Sequence, residues 1–254
     1  MGQFVHLEVD NGVAVVRLDR PPANAIDLQL GTELGEAFRE ADEREDVGAI
    51  VVWGGRTLFA AGADIKAMAE WGPDDVKPSV DALGDACDLL ESIGTVSIAA
   101  VNGFALGGGM ELALAADLRY LADDARIGQP EIRLGVIPGG GGTQRLTRLV
   151  GPGRTRELVY SGRQVGAEEA VRLGLAERIV PADEVREAAI ADARAFARGP
   201  RLALAAAKAA IRAAIETPGA AGVARERELF LALFGTHDQR EGMRAFLDKR
   251  DPSF

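Results

Sequence analysis

The sequence has little cysteine or histidine: Cys87 is the only cysteine, and His6 and His237 are the only histidines. A single cysteine excludes an intrachain disulfide, and its acidic neighbours Asp85 and Asp88 offer no cation that would activate a thiolate. We therefore expect Cys87 to be a buried structural residue. The two histidines are far apart and have no companion at metal-ligand spacing, so the sequence predicts no metal site.

Several signatures of other chemistries are also missing. No lysine follows a glycine, which excludes a phosphate-binding loop of the Walker type, and no Gly-x-Ser-x-Gly motif marks a nucleophilic serine. No segment approaches the ~20 consecutive apolar residues that a membrane span requires. Residues 1–9 contain no basic stretch followed by an apolar one. We therefore expect a cytoplasmic protein with no membrane partner.

Positive charge is the minority charge. The 39 Asp and Glu residues outnumber the 29 Lys and Arg residues, so the formal net charge is -10. So acidic a chain argues against nucleic acid or an anionic membrane as the main partner. An anionic ligand would have to be bound by donors placed locally. The 254 residues are enough for one large domain, or a main domain with an appendage, whose core needs neither metal nor disulfide.

Alternating strand-like and helix-like segments predict a mixed α/β fold. Predicted strands cover residues 4–9, 13–18, 48–53, 96–101 and 118–121, and predicted helices cover residues 28–44 and 80–93. The turn Asp10-Asn11-Gly12 indicates that the first two strands form a hairpin. Because the later strands alternate with helices, we expect a largely parallel sheet, with ligands bound at the carboxyl ends of its strands.

The last part of the chain lacks strands altogether. Helices are predicted at residues 184–197, 201–215, 222–234 and 238–248. Short helices that end in Phe246, Leu247 and Phe254 cannot bury much apolar surface alone, so they should pack on the core or on another subunit. We therefore expect a core at 1–198, a helical oligomerisation region at 199–254, and a homo-oligomer.

Glu111 is the first candidate for chemistry. It follows Gly107-Gly108-Gly109, where the strand at 96–101 ends and a helix is predicted to begin. The start of a helix offers unpaired N–H groups and positive dipole density, and glycine allows a ligand to approach them closely. An oxyanion could therefore bind there beside a carboxylate. The alternative is that Glu111 only complements the helix dipole.

Glu131 is the second candidate. It ends the stretch Gly128-Gln129-Pro130-Glu131, and the run Pro138-Gly139-Gly140-Gly141-Gly142 follows shortly after it. Four successive glycines imply that the backbone approaches something closely or adopts positive φ angles. The alternative for Glu131 is a solvated loop acid. Two acids set among glycines in this order favour an active site over two unrelated surface groups.

The sequence resembles the enoyl-CoA hydratase, or crotonase, family over essentially its whole length. The matching stretches are Phe59-Ala60-Ala61-Gly62-Ala63-Asp64-Ile65-Lys66, residues 100–112, Gly128-Gln129-Pro130-Glu131, residues 135–146 and the final helix at 240–250. The resemblance implies an α/β crotonase-like spiral of ββα turns, whose C-terminal helices build trimers that usually pair into hexamers. It also implies an acyl-CoA thioester as substrate, with coenzyme A as part of that substrate and no separate cofactor.

The same resemblance implies the roles of the site residues. The backbone N–H groups of Ala63 and Gly108 would form an oxyanion hole for the thioester oxygen, on which negative charge develops as the thioester becomes enolate-like. Glu111 would take a proton from a water molecule that attacks the β carbon of a trans-2-enoyl thioester. Glu131 would deliver a proton to the α carbon, and the N–H of Gly139 would help to hold the water. Neighbouring carboxyls push their pKa values apart, which suits one base and one acid.

The resemblance further implies where coenzyme A binds. The implied contacts are Ala23, Ala61, Asp64, Ile65, Lys66 and Lys249. Lys66 and, from a neighbouring subunit, Lys249 are the candidate cations, and the alternative for both is a solvated surface lysine. The loop at 20–25 departs from the family pattern because it is one residue shorter and has no basic side chain between its two prolines and Asn24. We therefore expect only a backbone contact from Ala23.

The acyl pocket and the reaction leave alternatives open. The pocket should be shaped by Met68, Trp71 and residues 73–83, the last as a mobile, partly helical lid.

Other members of the family are isomerases, dehalogenases, decarboxylases or thioester hydrolases that reuse the oxyanion hole. Both glutamates together favour hydration, in fatty acid or related acyl-CoA degradation, with isomerase activity in addition left open. One alternative from another class is a non-catalytic acyl-CoA-binding assembly module. Another is a site that binds nucleotide phosphates, against which the sequence offers neither a phosphate-loop lysine nor a clear magnesium site.

Overall fold

A computed structural model describes residues 2–254, which form a mixed α/β structure. The strands are β1 (Val5–Asp10), β2 (Val13–Leu18), β3 (Ala49–Trp53), β4 (Val96–Val101), β5 (Phe104–Leu106), β6 (Leu118–Ala122), β7 (Arg126–Gly128), β8 (Gln164–Gly166) and β9 (Arg178–Val180). The helices are α1 (Leu28–Glu43), α2 (Ile65–Met68), α3 (Pro73–Ser92), α4 (Gly108–Ala115), α5 (Gly142–Ser161), α6 (Ala167–Leu173), α7 (Val185–Ala197), α8 (Arg201–Glu216), α9 (Ala220–Ala232) and α10 (His237–Asp248). A 3₁₀ helix spans Glu131–Leu134.

The large sheet has the order β1-β2-β3-β4-β6-β9. The predicted hairpin is confirmed, because β1 pairs antiparallel with β2 and Val5 lies opposite Leu18. Asn11 and Gly12 form its turn with φ angles of 50° and 81°, the positive values that a two-residue hairpin loop requires. Every later pair in this sheet is parallel, as the alternation of strands and helices predicted.

A second sheet, which the sequence did not predict, has the order β5-β7-β8. Its strands have only three residues each, too few for a periodic pattern. Isolated parallel bridges join Ile26 to Ala63 and Ala60 to Ala105, and they continue the stack beyond β5. Successive turns of the chain therefore run along the large sheet, cross to a short strand or bridge, and end in a helix, which gives the expected ββα spiral.

Apolar side chains fill both sides of the large sheet. Helices α1, α3 and α4 cover one face, where Leu30, Phe38 and Cys87 are fully buried, so the prediction of a buried cysteine is confirmed. Helix α7 covers the other face with Ala189 and Ala193. Because both faces are buried, the central strands are almost continuously apolar.

The segment expected to be a partly helical lid is helical throughout. Residues 73–83 form the first half of α3, which also includes the predicted helix at 80–93. The carboxylate of Asp75 accepts a hydrogen bond from the N–H of Gly72 at 2.9 Å, which stabilises the start of this helix. The expectation underestimated the helix because Pro78 lies inside it, and an internal proline usually predicts a helix end.

The last three helices are less buried than the rest of the chain. Helix α8 has no buried residue, and α9 and α10 bury only Gly222 and Ala245 respectively. Helix α8 is attached to the core by Lys208, whose Nζ donates to the carbonyls of Leu90 and Thr95 and pairs with Asp117 at 2.9 Å. None of the helices in residues 2–254 has the length and apolarity needed to cross a membrane.

Candidate active site

The start of α4 lies at the carboxyl end of β5 and is built from glycines. Gly107 has a positive φ of 52°, and its N–H donates to the carbonyl of Gly128 at 2.9 Å. A Cβ atom on Gly109 would lie 2.2 Å from the carbonyl oxygen of Ala60, so only glycine fits there. The missing side chains let three chain segments, at 60–63, 105–109 and 128, come into direct contact.

Glu111 is the buried carboxylate of the site. Its side chain is in the first turn of α4 and the residue is 2% exposed. Its Oε1 atom accepts hydrogen bonds from the N–H groups of Gly140 and Gly142, at 2.8 and 2.7 Å. Burial raises the pKa of Glu111, while these two N–H groups and the positive charge of Arg145 oppose that rise. Oε1 is therefore fixed, and Oε2 accepts no hydrogen bond within the described chain.

Glu131 lies at the first position of the 3₁₀ helix and is half-buried. Burial is the largest effect on its carboxyl group, and the negative charge of Glu111 adds to it. Together they raise the pKa of Glu131 to about 7. A carboxyl with such a pKa holds its proton for a large part of the time near neutral pH, which is the state a proton donor needs.

Gln129 lies between the two acids and is 1% exposed. With its amide nitrogen facing Glu131, it donates to Oε1 and Oε2 at 2.6 and 3.2 Å. The opposite orientation would place the amide oxygen against two carboxylate oxygens. A Cβ atom on Gly142 would lie 2.6 Å from the side-chain amide of Gln129 and 2.9 Å from Glu111 Oε1, so the same glycine touches both side chains.

Both carboxyl groups lie beside the glycines at the start of α4. A Cβ atom on Gly107 would lie 3.2 Å from Glu131 Oε1, and one on the adjacent Gly108 would lie 4.0 Å from Glu111 Oε2. The acids come from separate elements, so tertiary structure brings them together. A small molecule held at these glycines would have a carboxyl group on two sides.

Ala63 and Gly108, the two residues expected to bind an oxyanion, lie on neighbouring segments. Gly62 Cα is 3.7 Å from the position that a Cβ atom would take on Gly107. Gly108 is the first residue of α4, so its N–H has no acceptor within the helix. In residues 2–254, no acceptor for the N–H of Ala63 is found either. Both donors are therefore available to a ligand.

The family resemblance implies that the N–H of Gly139 helps to hold the attacking water, and it assigns no group to hold Glu111 itself. Gly139 is exposed and contacts Val80, since a Cβ on it would lie 3.3 Å from Val80 Cγ1. Its neighbours Gly140 and Gly142 supply the N–H groups that bind Glu111. Sequence reasoning recognised the run of four glycines, but the run has no feature that tells which N–H groups turn inward. The motif Gly128-Gln129-Pro130-Glu131 gives no signal that would assign a role to Gln129.

Two of the expected coenzyme contacts already bind other parts of the chain. The carbonyl of Ala23 accepts the N–H of Ala61 at 3.0 Å. The carboxylate of Asp64 caps α2 through the N–H of Ala67 and pairs with Arg20 at 2.9 Å. The hydrogen bond from Arg20 is the first cause of the lowered pKa of Asp64. This carboxylate therefore holds the start of α2 and the loop at Arg20 together.

The remaining expected contacts are at the surface. Ala61, Ile65 and Lys66 are exposed, the last two on the short helix α2. Lys249 is exposed and ends α10 in a left-handed conformation, far along the chain from the segment that carries Lys66.

Residues 2–254 contain no cluster of three or more His, Cys, Asp or Glu side chains placed to hold a metal ion. A cavity of about 660 Å³ lies between the end of α3 and helices α8 and α9, and neither Glu111 nor Glu131 lines it. The concave surface between the C-terminal helices is thus separate from the paired acids.

Comparison with known proteins agrees with this geometry. Residues 8–254 match the enoyl-CoA hydratase/isomerase family. A probable enoyl-CoA hydratase of Mycobacterium bovis is 44% identical over 253 residues, which cover 99% of this chain and 98% of that protein. The mitochondrial enoyl-CoA hydratase of Pongo abelii is 42% identical over 246 residues, which cover 96% of this chain and 84% of that protein. The crystal structure of an enoyl-CoA hydratase from Bacillus anthracis superposes with a TM-score of 0.95 at 36% identity and covers 99% of both chains. The chain therefore belongs to the enoyl-CoA hydratase/isomerase family.

Proposed function

We propose that this protein is an enoyl-CoA hydratase, which adds water reversibly and with syn geometry to a trans-2-enoyl-CoA and gives a 3-hydroxyacyl-CoA. The observation that carries the proposal is the pair of carboxyl groups at the start of α4. Glu111 is fixed by two N–H groups, and Glu131 has a pKa of about 7. Such a pair can hold one proton near neutral pH, as a base and an acid acting on one water require.

The thioester oxygen would bind between the N–H groups of Ala63 and Gly108. As water adds to the β carbon, the π electrons move towards this oxygen, and two fixed donors stabilise the enolate-like charge more than they stabilise the neutral substrate. Gly108 contributes further because it begins α4, where the helix dipole favours negative charge. Acceleration then comes from groups that are in place before the reaction begins.

The two glutamates would divide the proton transfers. Glu111 takes a proton from the water as its oxygen bonds to the β carbon, and Glu131 gives a proton to the α carbon as the enolate collapses. The net result is the addition of one H and one OH to the double bond, and a proton passing from Glu111 to Glu131 restores the starting state. Gly140 and Gly142 hold Oε1 of Glu111, so the water would lie at Oε2. Gly139 remains the candidate for a further donor to this water.

Coenzyme A would lie along the exposed segment that includes Ala61, Ile65 and Lys66. Its phosphates would be met by Lys66 and, from a neighbouring subunit, by Lys249. Ala23 and Asp64 would act indirectly, since their contacts fix the loop on which the coenzyme rests. Because salt screens charges beyond ~8 Å at physiological ionic strength, these lysines would act only at short range.

We also propose that residues 199–254 form an oligomerisation region and that the protein is a trimer or a dimer of trimers. Phe246 and Leu247 on α10 are 83% and 78% exposed, and Phe230 on α9 is 58% exposed. This region has nine Lys and Arg residues against seven Asp and Glu, whereas residues 1–198 have 20 against 32. A mildly basic, apolar surface is suited to another copy of an acidic chain. Light scattering should give three or six times the chain mass, and a monomer at micromolar concentration would contradict this assembly.

Incubation with crotonyl-CoA tests the reaction. We expect loss of the absorbance of the conjugated thioester, with a product whose mass is greater by one water. The matched sample is but-3-enoyl-CoA, which an isomerase converts without a change in mass. Isomerisation alone would replace the proposal with isomerase activity, as this family includes it. Binding of either compound without turnover would favour a non-catalytic acyl-CoA-binding module.

A further inference from the structure

Arg145 is a buried cation near the proposed site. It lies on α5 and is 5% exposed. Arginine is almost never fully buried unless it is paired, because removing its charge from water is costly. Neither the sequence motifs nor the proton transfers above give this residue a function. Its partners therefore indicate why a cation is kept there.

The guanidinium group connects α3 to the glycine loop. Its Nε donates to Glu91 at 2.9 Å and its Nη2 to Asp88, both on α3. Its Nη1 donates to the carbonyl of Gly140 at 2.8 Å. One rigid planar group is thus bonded to two carboxylates on one side and to a backbone carbonyl on the other.

The carbonyl that Arg145 binds belongs to the central one of three consecutive peptide groups. The peptide before it carries the N–H of Gly140, and the peptide after it carries the N–H of Gly142. These are the two donors to Glu111. Because each peptide is planar and shares one Cα with the next, fixing the central peptide limits the orientations that are open to both donors. The hydrogen bond from Arg145 therefore restrains both N–H groups that bind Glu111.

Glycine alone would not hold this loop in one conformation. Gly141 has a φ of 99°, which glycine adopts readily along with many other conformations. A Cβ atom at this position would lie 2.1 Å from Arg145 Nη1, so the guanidinium packs directly against the Gly141 backbone. The loop is flexible by composition, and Arg145 fills the space into which it would otherwise relax. The positive charge also favours the ionised form of Glu111.

We propose that Arg145 is a positioning residue, which holds the 139–142 loop so that Gly140 and Gly142 aim their N–H groups at Glu111. The proposal rests on the hydratase function proposed above, in which Glu111 is the base. Arg145 does not contact substrate in this account. It acts through the loop and through its charge, and loss of the side chain should change how Glu111 works rather than how acyl-CoA binds.

The test compares Arg145→Gln and Arg145→Lys with the matched control Arg148→Gln. Arg148 lies on the same helix and pairs with Glu91 at 2.8 Å, but it does not contact the loop. We expect Arg145→Gln to lower kcat about 10²-fold, the scale of a small misplacement of a catalytic group, and Arg145→Lys about 10-fold. KM should change little, and the Arg148 variant should keep its rate within about twofold.

The pH profile separates positioning from general damage to the fold. Loss of the Arg145 charge removes an interaction that lowers the pKa of Glu111, so the acidic limb of the hydration profile should move to higher pH in Arg145→Gln. Arg145→Lys should shift it less. If Arg145→Gln fails to fold, the test uses Arg145→Lys and Gly141→Ala. These two variants disturb the contact between the guanidinium and the loop, one from each side, and should show the same fall in kcat and shift of the acidic limb. Folded Arg145 variants with wild-type kcat and an unmoved acidic limb would overturn the proposal.

An infrared titration distinguishes failure of this proposal from failure of the hydratase function. The carboxyl band that disappears in Glu111→Gln is assigned to Glu111, and its titration needs no turnover. We expect its midpoint to lie higher in Arg145→Gln than in the wild type or Arg148→Gln. An unchanged midpoint would contradict the electrostatic effect of Arg145 even if the enzyme proved to be an isomerase.

Discussion

The segments that carry Glu111 and Glu131 differ in how the backbone holds each acid. Glu111 lies in α4, all eight residues of which are buried, and the loop at 139–142 donates two N–H groups to it. Glu131 begins a four-residue 3₁₀ helix in which Ile132 and Leu134 are 41% and 54% exposed, and a side-chain amide is its neighbour. In the proposed mechanism, the same side chain serves as the base in one segment and as the acid in the other.

Of the substitutions that test this comparison, Glu111→Gln should have the largest effect on turnover. Glutamine keeps an oxygen for the N–H groups of Gly140 and Gly142 but cannot take a proton from water. We expect turnover of crotonyl-CoA to fall by about 10² to 10⁴, the usual scale for loss of a general base. Circular dichroism and thermal unfolding should show an intact fold. Turnover close to wild type would remove Glu111 from the mechanism.

Glu33 provides a matched control for this substitution. It is a second glutamate that accepts backbone N–H groups, from Gln3, Phe4 and Val5, and it lies on α1 away from the site. These hydrogen bonds lower the pKa of Glu33 although its burial opposes them. Glu33→Gln should therefore destabilise the fold at neutral pH while kcat stays within about twofold of wild type. This contrast would show that a glutamate is not catalytic merely because its carboxylate accepts hydrogen bonds from backbone N–H groups.

Glu131→Gln should lower hydration by about 10² to 10⁴ as well, because the α carbon loses its proton donor. The two acids can be told apart in D₂O with a saturated acyl-CoA. Exchange of its α proton needs Glu131 and the oxyanion hole but no attacking water. We expect exchange to be lost in Glu131→Gln and to persist in Glu111→Gln, as measured by mass or NMR. Loss in both variants to the same extent would contradict the division of roles.

Gly142→Ala should have an intermediate effect on kcat, because it disturbs the loop that holds Glu111. The added Cβ would lie 2.6 Å from the side-chain amide of Gln129 and 2.9 Å from Glu111 Oε1, closer than these atoms can approach. We expect kcat to fall about 10- to 100-fold as both side chains shift. Gly84→Ala is the control, because a Cβ there meets nothing within 4 Å and the residue lies inside α3. It should leave kcat unchanged and stabilise the helix slightly.

The smallest effect concerns stability. The folded pKa of Glu131 is raised from 4.5 to about 7, so the native state is penalised progressively as pH rises through this interval and fully above it. Glu131→Gln removes the penalty. Because the side chain is only half-buried, we expect a gain of about 1 to 2 kcal/mol at pH 8, or a few degrees in Tm, and none near pH 4. A Tm difference that does not change between these pH values would contradict the raised pKa.

Much of the large sheet could be predicted from the sequence because each element has its own periodic signal. The hairpin turn at Asn11 and Gly12, the apolar run of β3 and the helical spacing of α1 all predict the observed elements. The paired glutamates were recognisable for the same reason, since glycine runs and a helix start are local features. The family resemblance supplied the spiral and the acyl-CoA substrate class.

Other features depend on tertiary contacts that no local pattern encodes. The strands of the second sheet are too short to show a periodic pattern. The first half of α3 contains Pro78, and a proline inside a helix is usually a signal for a helix end. The use of Gly140 and Gly142 as donors to Glu111 depends on φ angles and on Arg145, which lies several residues further along. The use of Asp64 as a cap paired with Arg20 depends on a loop distant in sequence. Such partners become visible only when the segments are placed together.

The measurement that tests the central claim most directly is the pH dependence of kcat/KM for hydration of crotonyl-CoA by the wild type and by Glu131→Gln. If Glu131 must be protonated to act, the wild-type value falls as pH rises above about 7, and this limb is missing from the residual activity of Glu131→Gln, which keeps the acidic limb of Glu111. A wild-type profile that stays level through pH 7 and beyond, or an identical alkaline limb in the variant, would contradict the assignment of base and acid to these two environments.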